Sequence, residues 1–212
     1  MLFLWVSPSR ADDPVCSALK DAWAKVRTYR CSYRALTSHE GKVKETRMVY
    51  AFAKPGKVRM DISLPSRGAV LLYDPEDSPK VRVRPFPSLP FFILKYGLDH
   101  PRVSTDSGGT VDRSDLGSRM ESLCGTWEGI KSGRLRGRLI SGRYDPDRGG
   151  EVRWTLAEGS SEDEFRAGIG ESGFLERIER MGPDGKAVES YEWTDLEINP
   201  AFGPDAFKKF QP

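Results

Sequence analysis

Long hydrophobic runs, an excess of one charge and the common catalytic motifs are all missing from this sequence. Its 212 residues carry 33 basic and 31 acidic side chains, a formal net charge of +2. Because the two signs are interspersed, the charge pattern does not favour nucleic acid, and we expect no nucleic-acid partner. After the first six residues, no segment approaches the roughly 20 apolar residues that a transmembrane helix needs.

Side chains able to do chemistry are also few. The only histidines are His39 and His100, and both fall in turns or beside a proline. The zinc-protease, phosphate-loop and G-x-S-x-G patterns do not occur. A hydrolytic site whose residues meet only in space is an open alternative, but the sequence itself predicts no catalytic residue, no metal ligand and no cofactor.

Two short patterns imitate binding motifs. Residues 168–173 fit the G-x-G-x-x-G spacing of dinucleotide sites, but a polar loop precedes them instead of a buried strand. We therefore predict a glycine-rich bend between strands. The acidic clusters at 74–77 and 162–164 lack the ligand spacing and closing glutamate of a calcium loop, so we interpret both as solvated loop tips.

The three cysteines are Cys16, Cys31 and Cys124. They are far apart and form no C-x-x-C pair, which argues against zinc and thioredoxin-type sites. In an oxidising compartment two of them can pair. The third would then be a buried apolar side chain or a free thiol, and the pairing stays open at this point.

Residues 1–11 resemble the end of a secretory signal. Met1–Val6 are apolar, and Ser9 and Ala11 are small residues at the spacing of a cleavage site. The alternative is an apolar N-terminal strand. We favour export, which would make residues 12–212 a single soluble domain in the periplasm.

The first predicted helix begins at Asp12 or Asp13, either of which can cap it, with Pro14 in its first turn. Its apolar residues recur at three- and four-residue steps as far as Val26, so we expect it to end near Thr28.

A second helix is predicted after the acceptor-rich cluster 112–115. Its apolar residues, at helical spacing, are Leu116, Met120, Leu123, Trp127 and Ile130. Gly117, Gly125 and Gly129 each cost about 1 kcal/mol relative to alanine, so this helix depends on tertiary packing. It is either an imperfect core helix or a movable lid.

Strand patterns fill most of the remaining chain. In the first of them Tyr29, Cys31, Tyr33 and Ala35 share one face, and turn residues then recur at short intervals. Connections this short predict antiparallel hairpins and exclude the crossover helices of parallel nucleotide-binding folds. The proline-rich stretch 86–109 is expected to be an irregular plug packed into the core, with an exposed binding surface as the alternative.

Large apolar side chains are unusually frequent on these strands. If one strongly curved sheet carries them inward, the hollow holds either its own packed side chains or a ligand, and both outcomes are open. The candidate ligand-binding residues, on the strands and the second helix, are Met48, Tyr50, Phe52, Met60, Ile62, Val70, Leu72, Met120, Trp127, Trp154 and Leu156.

Several turn and strand signatures resemble the LolA-like superfamily, which includes periplasmic lipoprotein carriers, their outer-membrane receptor and envelope sensors. These signatures are Phe52–Met60, Gly68–Pro75, Gly173–Leu175, Asp184–Gly185, Trp193–Leu196, Asn199 and Phe207. Tyr191–Phe207 and Val111–Leu123 are most similar to an uncharacterised exported branch. The resemblance implies an α+β fold, a single strongly curved antiparallel β-sheet forming a half-open barrel, wrapped around or covered by two or three helices.

The same resemblance implies a function. We expect a monomeric, non-catalytic periplasmic carrier that shelters the acyl chains of a lipid or lipoprotein in an apolar cavity. Its further partner would be a membrane-anchored donor or acceptor protein. The alternative is a cell-envelope sensor or interaction protein that uses the same fold to bind a protein partner.

Overall fold

The computed structural model describes residues 14–39, 42–104, 109–159, 161–182 and 184–210. The expected secretory segment 1–11 and the cap candidates Asp12 and Asp13 lie outside these ranges. None of the helices within them combines the length and hydropathy of a membrane-spanning segment.

The described chain contains two α-helices, two 3₁₀ turns and eleven strands. Helix α1 is Pro14–Ala24 and helix α2 is Leu116–Lys131, and the 3₁₀ turns are Pro101–Val103 and Val111–Arg113. The strands are β1 (Thr28–His39), β2 (Lys42–Ala53), β3 (Lys57–Leu64), β4 (Ala69–Tyr73), β5 (Val81–Arg84), β6 (Leu94–Tyr96), β7 (Gly137–Asp145), β8 (Gly149–Glu158), β9 (Ser161–Ile169), β10 (Leu175–Met181) and β11 (Ala187–Ile198).

All eleven strands belong to one antiparallel sheet with the order β6-β5-β4-β3-β2-β1-β11-β10-β9-β8-β7. The chain therefore builds two meanders, and the pairing of β1 with β11 joins them. The sheet is not closed, since β6 and β7 form its two edges. This confirms the α+β fold class and the half-open barrel.

One side of the sheet, here called the concave face, carries the hydrophobic core. Tyr29 and Cys31 on β1 are almost fully buried there, as the alternation of β1 predicted. Across the β1–β2 ladder they lie opposite Phe52 and Tyr50, so the same face continues along the neighbouring strand. Strand alternation thus sends one set of apolar side chains from each strand into a shared core.

Both helices pack on the concave face. Helix α1 ends at Ala24 instead of near Thr28, because Thr28 already pairs with Ala53 as the first residue of β1. Helix α2 begins as predicted, since the side chain of Asp115 accepts a 3.0 Å hydrogen bond from the Ser118 N–H and caps it.

A disulfide joins the two helices. Cys16 in α1 and Cys124 in α2 are bonded, with their Cα atoms 5.7 Å apart and a sequence separation of 108 residues. Cys31 is the free cysteine and is buried. The pairing that the sequence left open is therefore settled by how α1 and α2 pack.

The C-terminal segment 199–210 covers part of the opposite, convex face. Arg59 Nη1 donates to the carbonyl oxygen of Ala206 at 3.0 Å, and Arg82 Nη2 donates to that of Phe207 at 3.3 Å. Both arginines lie directly opposite Leu72 in the strand ladders, so they share its face. Phe207 is itself buried, which shows that the segment packs against the sheet.

The expectation of an apolar plug was wrong for the first part of the stretch 86–109. In the loop between β5 and β6, the Phe91 side chain is 95% exposed, and the neighbouring large side chains are about half exposed. The two helices and their disulfide already cover the concave face. The loop therefore leaves the sheet at its edge and remains outside the core.

Two smaller predictions have different outcomes. Residues 170–173 form the bend between β9 and β10, as expected, but β9 precedes the bend where a polar loop was predicted, and residues 162–164 lie in that strand instead of in a loop tip. Asp74, by contrast, was expected in a solvated tip but is buried. Its carboxylate lies 3.5 Å from Lys57 Nζ and accepts a 3.1 Å hydrogen bond from the Glu76 N–H, so it orders the turn after β4.

Candidate ligand-binding site

The concave face is largely filled by the protein's own side chains. A cavity of about 180 Å³ remains between the sheet and the segments before α2, and its apolar lining includes Met48, Tyr50, Met60 and Ile62. Ligand pockets usually measure roughly 300–1,000 Å³. This inner cavity is therefore too small for a long acyl chain in the conformation seen here.

Two buried tyrosines fix the start of α2 beside this cavity. The backbone N–H of Leu116 donates to the Tyr29 hydroxyl at 2.9 Å, and the Tyr50 hydroxyl lies 2.8 Å from Ser114 Oγ. Because Ser114 donates its own proton to the carbonyl of Val111, Tyr50 is the donor to Ser114.

Burial raises the pKa of Tyr29 and of Tyr50 above the ordinary tyrosine value. Both hydroxyls therefore stay protonated at neutral pH and remain hydrogen-bonded to α2 and the turn before it. The inner cavity has a rigid wall on this side, because these bonds tie the beginning of the helix to the sheet.

A larger space, here called the α1–α2 groove, lies between the two helices. Its volume is about 890 Å³, which falls within the usual range for ligand pockets. Its floor reaches Leu19, Phe52 and Met120, three core side chains that are no more than 3% exposed. An apolar chain lying in this groove would touch the core of the protein.

The rim of the α1–α2 groove is polar and carries both charges. Carboxylates and cations both line it, including Glu121 and Glu128 from α2 and Lys20 from α1. Lys54 donates to the Trp23 carbonyl at 3.0 Å, and its ammonium group lies 4.8 Å from the centre of the Trp23 ring. An apolar floor below a charged rim suits an amphiphile with one apolar chain and a polar head.

Two glycines of α2 shape this groove. A Cβ at Gly117 would overlap the Trp23 ring, so glycine at this position lets α1 and α2 approach each other closely. A Cβ at Gly125 would meet nothing within 4 Å, because Gly125 faces the open groove. The glycines that weaken α2 as an isolated helix thus provide the contact between the helices and part of the space between them.

An aromatic cluster connects the groove to the core. The ring centres of Trp23 and Phe52 are 5.6 Å apart, those of Phe52 and Tyr29 are 5.4 Å apart, and those of Tyr29 and Tyr50 are 5.7 Å apart. Phe52 lines the groove and Tyr50 lines the inner cavity. This short row of aromatic rings lies between the two spaces.

The structure divides the eleven predicted site residues among several places. Met48, Tyr50, Met60 and Ile62 line the inner cavity, and Phe52 and Met120 line the α1–α2 groove. Trp127 lines a third space of about 460 Å³ beside β7 and β8. Trp154 and Leu156 pack in or against the core, where Trp154 contacts Trp127 and Phe165.

Val70 and Leu72 are not part of any of these spaces. In the ladders of β4 they lie opposite Arg84 and Arg82, on the convex face, whereas Leu71 faces the core beside Met60. Every residue of β4 is apolar or aromatic and buried, so its sequence has no alternation that identifies the inner side. The pairing register alone places Val70 and Leu72 outside the candidate site.

Sequence analysis missed the residues that α1 contributes to the groove, chiefly Leu19 and Trp23. The available signal was glycine inside a helix, since Gly117 marks a close approach of the two helices and Gly125 leaves open space between them.

Comparisons with known proteins support the fold. No protein-family model and no curated protein sequence matches the chain. Among solved structures, an uncharacterized conserved protein from Thermus thermophilus is 8% identical, with a TM-score of 0.50, over 93% of this chain and 92% of that one.

Two further matches have lower scores. A LolA superfamily protein from Nitrosomonas europaea is 10% identical at a TM-score of 0.42, over 91% of this chain and 96% of that one. The match in the MucA/MucB complex from Pseudomonas aeruginosa is 12% identical at a TM-score of 0.42, over 93% of this chain and 62% of that one. The match to the Thermus thermophilus protein extends over nearly the full length of both chains and supports the fold alone.

Proposed function

We propose that this protein is a non-catalytic carrier that binds the acyl chain of a lipid or lipoprotein in the α1–α2 groove. The observation that carries the proposal is the groove itself, with its floor of Leu19, Phe52 and Met120 beneath a charged rim. Each methylene that leaves water for such a floor contributes about 0.8 kcal/mol. A long chain would therefore gain enough affinity without any bond being formed or broken.

The Cys16–Cys124 disulfide supports a place in the periplasm. Disulfides persist in oxidising compartments and are rare in the cytosol of most bacteria. In such a setting the protein would act as a monomer that takes a chain from a membrane-anchored donor and releases it to an acceptor that buries the chain better.

The central experiment measures binding of a fluorescent long-chain fatty acid. We expect wild-type protein to bind it and Gly125→Leu to bind at least about tenfold more weakly, because the added side chain starts in open space and extends into the groove. Gly125→Ala should bind almost as wild type. Ser122→Leu is the matched control, since Ser122 is exposed on the same helix and does not line the groove.

A series of chain lengths makes this test sharper. While the groove still has room, two added methylenes should tighten binding by roughly tenfold. Failure of the wild type to bind any chain would contradict the carrier proposal. Loss of binding in Met60→Phe, with normal binding in Gly125→Leu, would place the ligand in the inner cavity instead.

A protein-binding role is the second candidate, and the filled concave face favours it. An interaction module needs no hollow, and the inner cavity measures only about 180 Å³. This role predicts that a reproducible partner protein, once purified, binds the wild type and Gly125→Leu with the same affinity. It also predicts that the wild type does not bind fatty acid.

A further inference from the structure

The loop of residues 85–93, here called the β5–β6 loop, exposes more large apolar side chains than any other described segment. Phe91 is 95% exposed, and the four other large apolar side chains of the loop are 42–52% exposed. These four are Phe86, Leu89, Phe92 and Ile93. A contiguous apolar patch of this kind marks a surface that meets either another protein or a membrane.

The loop is held in its protruding position. Pro85, Pro87 and Pro90 restrict its backbone, and the Phe86 and Phe92 rings lie 6.4 Å apart in a stacked arrangement. Pro87 also packs closely on the β3–β4 hairpin, since a Cβ at Gly68 would lie 2.8 Å from its Cγ atom. This contact holds the start of the loop against the hairpin.

The backbone of the loop is suited to an apolar environment. The three prolines have no N–H group, and the N–H groups of Leu89 and Phe92 donate to the carbonyls of Phe86 and Leu89 at 3.2 and 3.0 Å. Five of the nine residues in the loop therefore have no N–H group that needs water. This lowers the cost of moving the tip of the loop from water into lipid.

The sequence on both sides of the loop is basic, although Arg82 is paired with Asp77 at 3.5 Å and Arg84 is buried. Residues 78–98 contain four basic side chains, Lys80, Arg82, Arg84 and Lys95, and no carboxylate, although the whole chain is nearly balanced. Residues 62–73 of the packed hairpin add Arg67 and again no carboxylate. Lys95 and Arg67 are both exposed. Exposed apolar side chains with exposed cations on the adjoining segments match a bilayer with anionic headgroups.

We propose that the β5–β6 loop docks the protein on a membrane that contains anionic lipids. Phe91 and its neighbours enter the boundary between headgroups and acyl chains, where aromatic side chains are favoured, and Lys95 and Arg67 face the headgroups. Exposed cations beside the apolar side chains favour the membrane over a protein partner, since the core of a protein interface is depleted of lysine. This inference does not depend on the α1–α2 groove.

The test is cosedimentation with vesicles of equal parts phosphatidylcholine and phosphatidylglycerol. Wild type should bind, and the double variant Phe91→Ser/Phe92→Ser should partition roughly tenfold less. Both side chains are exposed, so the melting temperature should not change. Val43→Ser is the matched control, because Val43 is a 68% exposed apolar residue at the start of β2, away from the loop in sequence.

The charge component is tested separately. Arg67→Gln/Lys95→Gln should weaken binding to the anionic vesicles, reduce its dependence on salt, and leave binding to pure phosphatidylcholine unchanged.

Four results would overturn the proposal. The first is a wild type that does not bind the vesicles, and the second is a double serine variant that binds them as the wild type does. The third is a wild type that binds isolated membranes only until they are treated with protease, which would assign the loop to a protein partner. The fourth is a wild type that is a dimer and a double serine variant whose only change is that it is a monomer, which would make the loop a contact between two copies.

Discussion

The two faces of the sheet are covered in different ways. On the concave face, two helices are joined to each other by a disulfide, and hydrogen bonds of Tyr29 and Tyr50 tie the beginning of α2 to the sheet. On the convex face, the irregular segment 199–210 is held by arginine side chains that donate to its backbone carbonyls.

The difference decides where open space remains beside the sheet. Two helices are cylinders, so they leave a groove between them unless large side chains fill it, and Gly125 leaves part of it open. The irregular segment 199–210 packs on the sheet and inserts Phe207, which is buried. We infer that the helical cover serves binding and the C-terminal cover serves stability.

The largest expected effect is on the helical cover. Replacing Cys16 and Cys124 by alanine should lower the free energy of unfolding by about 4 kcal/mol, since the bond joins residues 108 positions apart. Urea denaturation measures this loss. Reduced wild type is the matched control and should unfold at the same urea concentration as the variant. An unchanged midpoint would show that packing alone holds the helices.

The next effect separates the two covers. Phe207→Ala should lower the free energy of unfolding by about 3 kcal/mol, because the substitution removes a buried aromatic ring from the convex face. Fatty-acid binding should stay as in the wild type, since Phe207 does not line the α1–α2 groove. Lys208→Ala, at an exposed neighbouring position, should be nearly neutral. A loss of binding in Phe207→Ala would contradict the division of roles between the faces.

The smallest effect concerns pH and the concave face. Burial raises the pKa of Cys31 to about 12, whereas an unfolded thiol titrates near about 8.5. The contribution of Cys31 to the free energy of unfolding is therefore fully present below about pH 8.5. Above that pH the free energy of unfolding falls by about 1.4 kcal/mol per pH unit, because only the unfolded chain loses the proton. Burial also raises the pKa of Tyr29 and Tyr50, which add losses in the same direction above about pH 10.

Cys31→Ala provides the control for the pH effect. Between about pH 8.5 and 10, before the tyrosines titrate, the variant should show a flatter decline in unfolding free energy than the wild type. Equal slopes would mean that Cys31 is open to solvent in the folded protein.

Much of the fold could be predicted from local patterns. The alternation from Tyr29 to Ala35, the Asp115 cap and the short turns predicted β1, the start of α2 and the antiparallel order. These features depend on residues that are close in sequence, which is why they can be read without a structure.

The candidate site was predicted less well. Alternation placed Met48, Tyr50, Met60 and Ile62 correctly on one face, but β4 is apolar throughout and its inner side depends on pairing with β3 and β5. The β5–β6 loop has a composition that suits either a plug or an exposed surface. Only the space left by other elements decides between these.

The amino-acid sequence by itself determined most of the strands, both helices and the antiparallel order, because propensity, periodicity and turn residues act over a few neighbouring positions. Strands β6 and β9, predicted as irregular and as a polar loop, are exceptions. Tertiary structure alone decided the Cys16–Cys124 pairing, the convex position of Leu72, the outward position of Phe91 and the groove beside Trp23. Each of these depends on distances between residues far apart in the chain, and those distances exist only after the elements have packed.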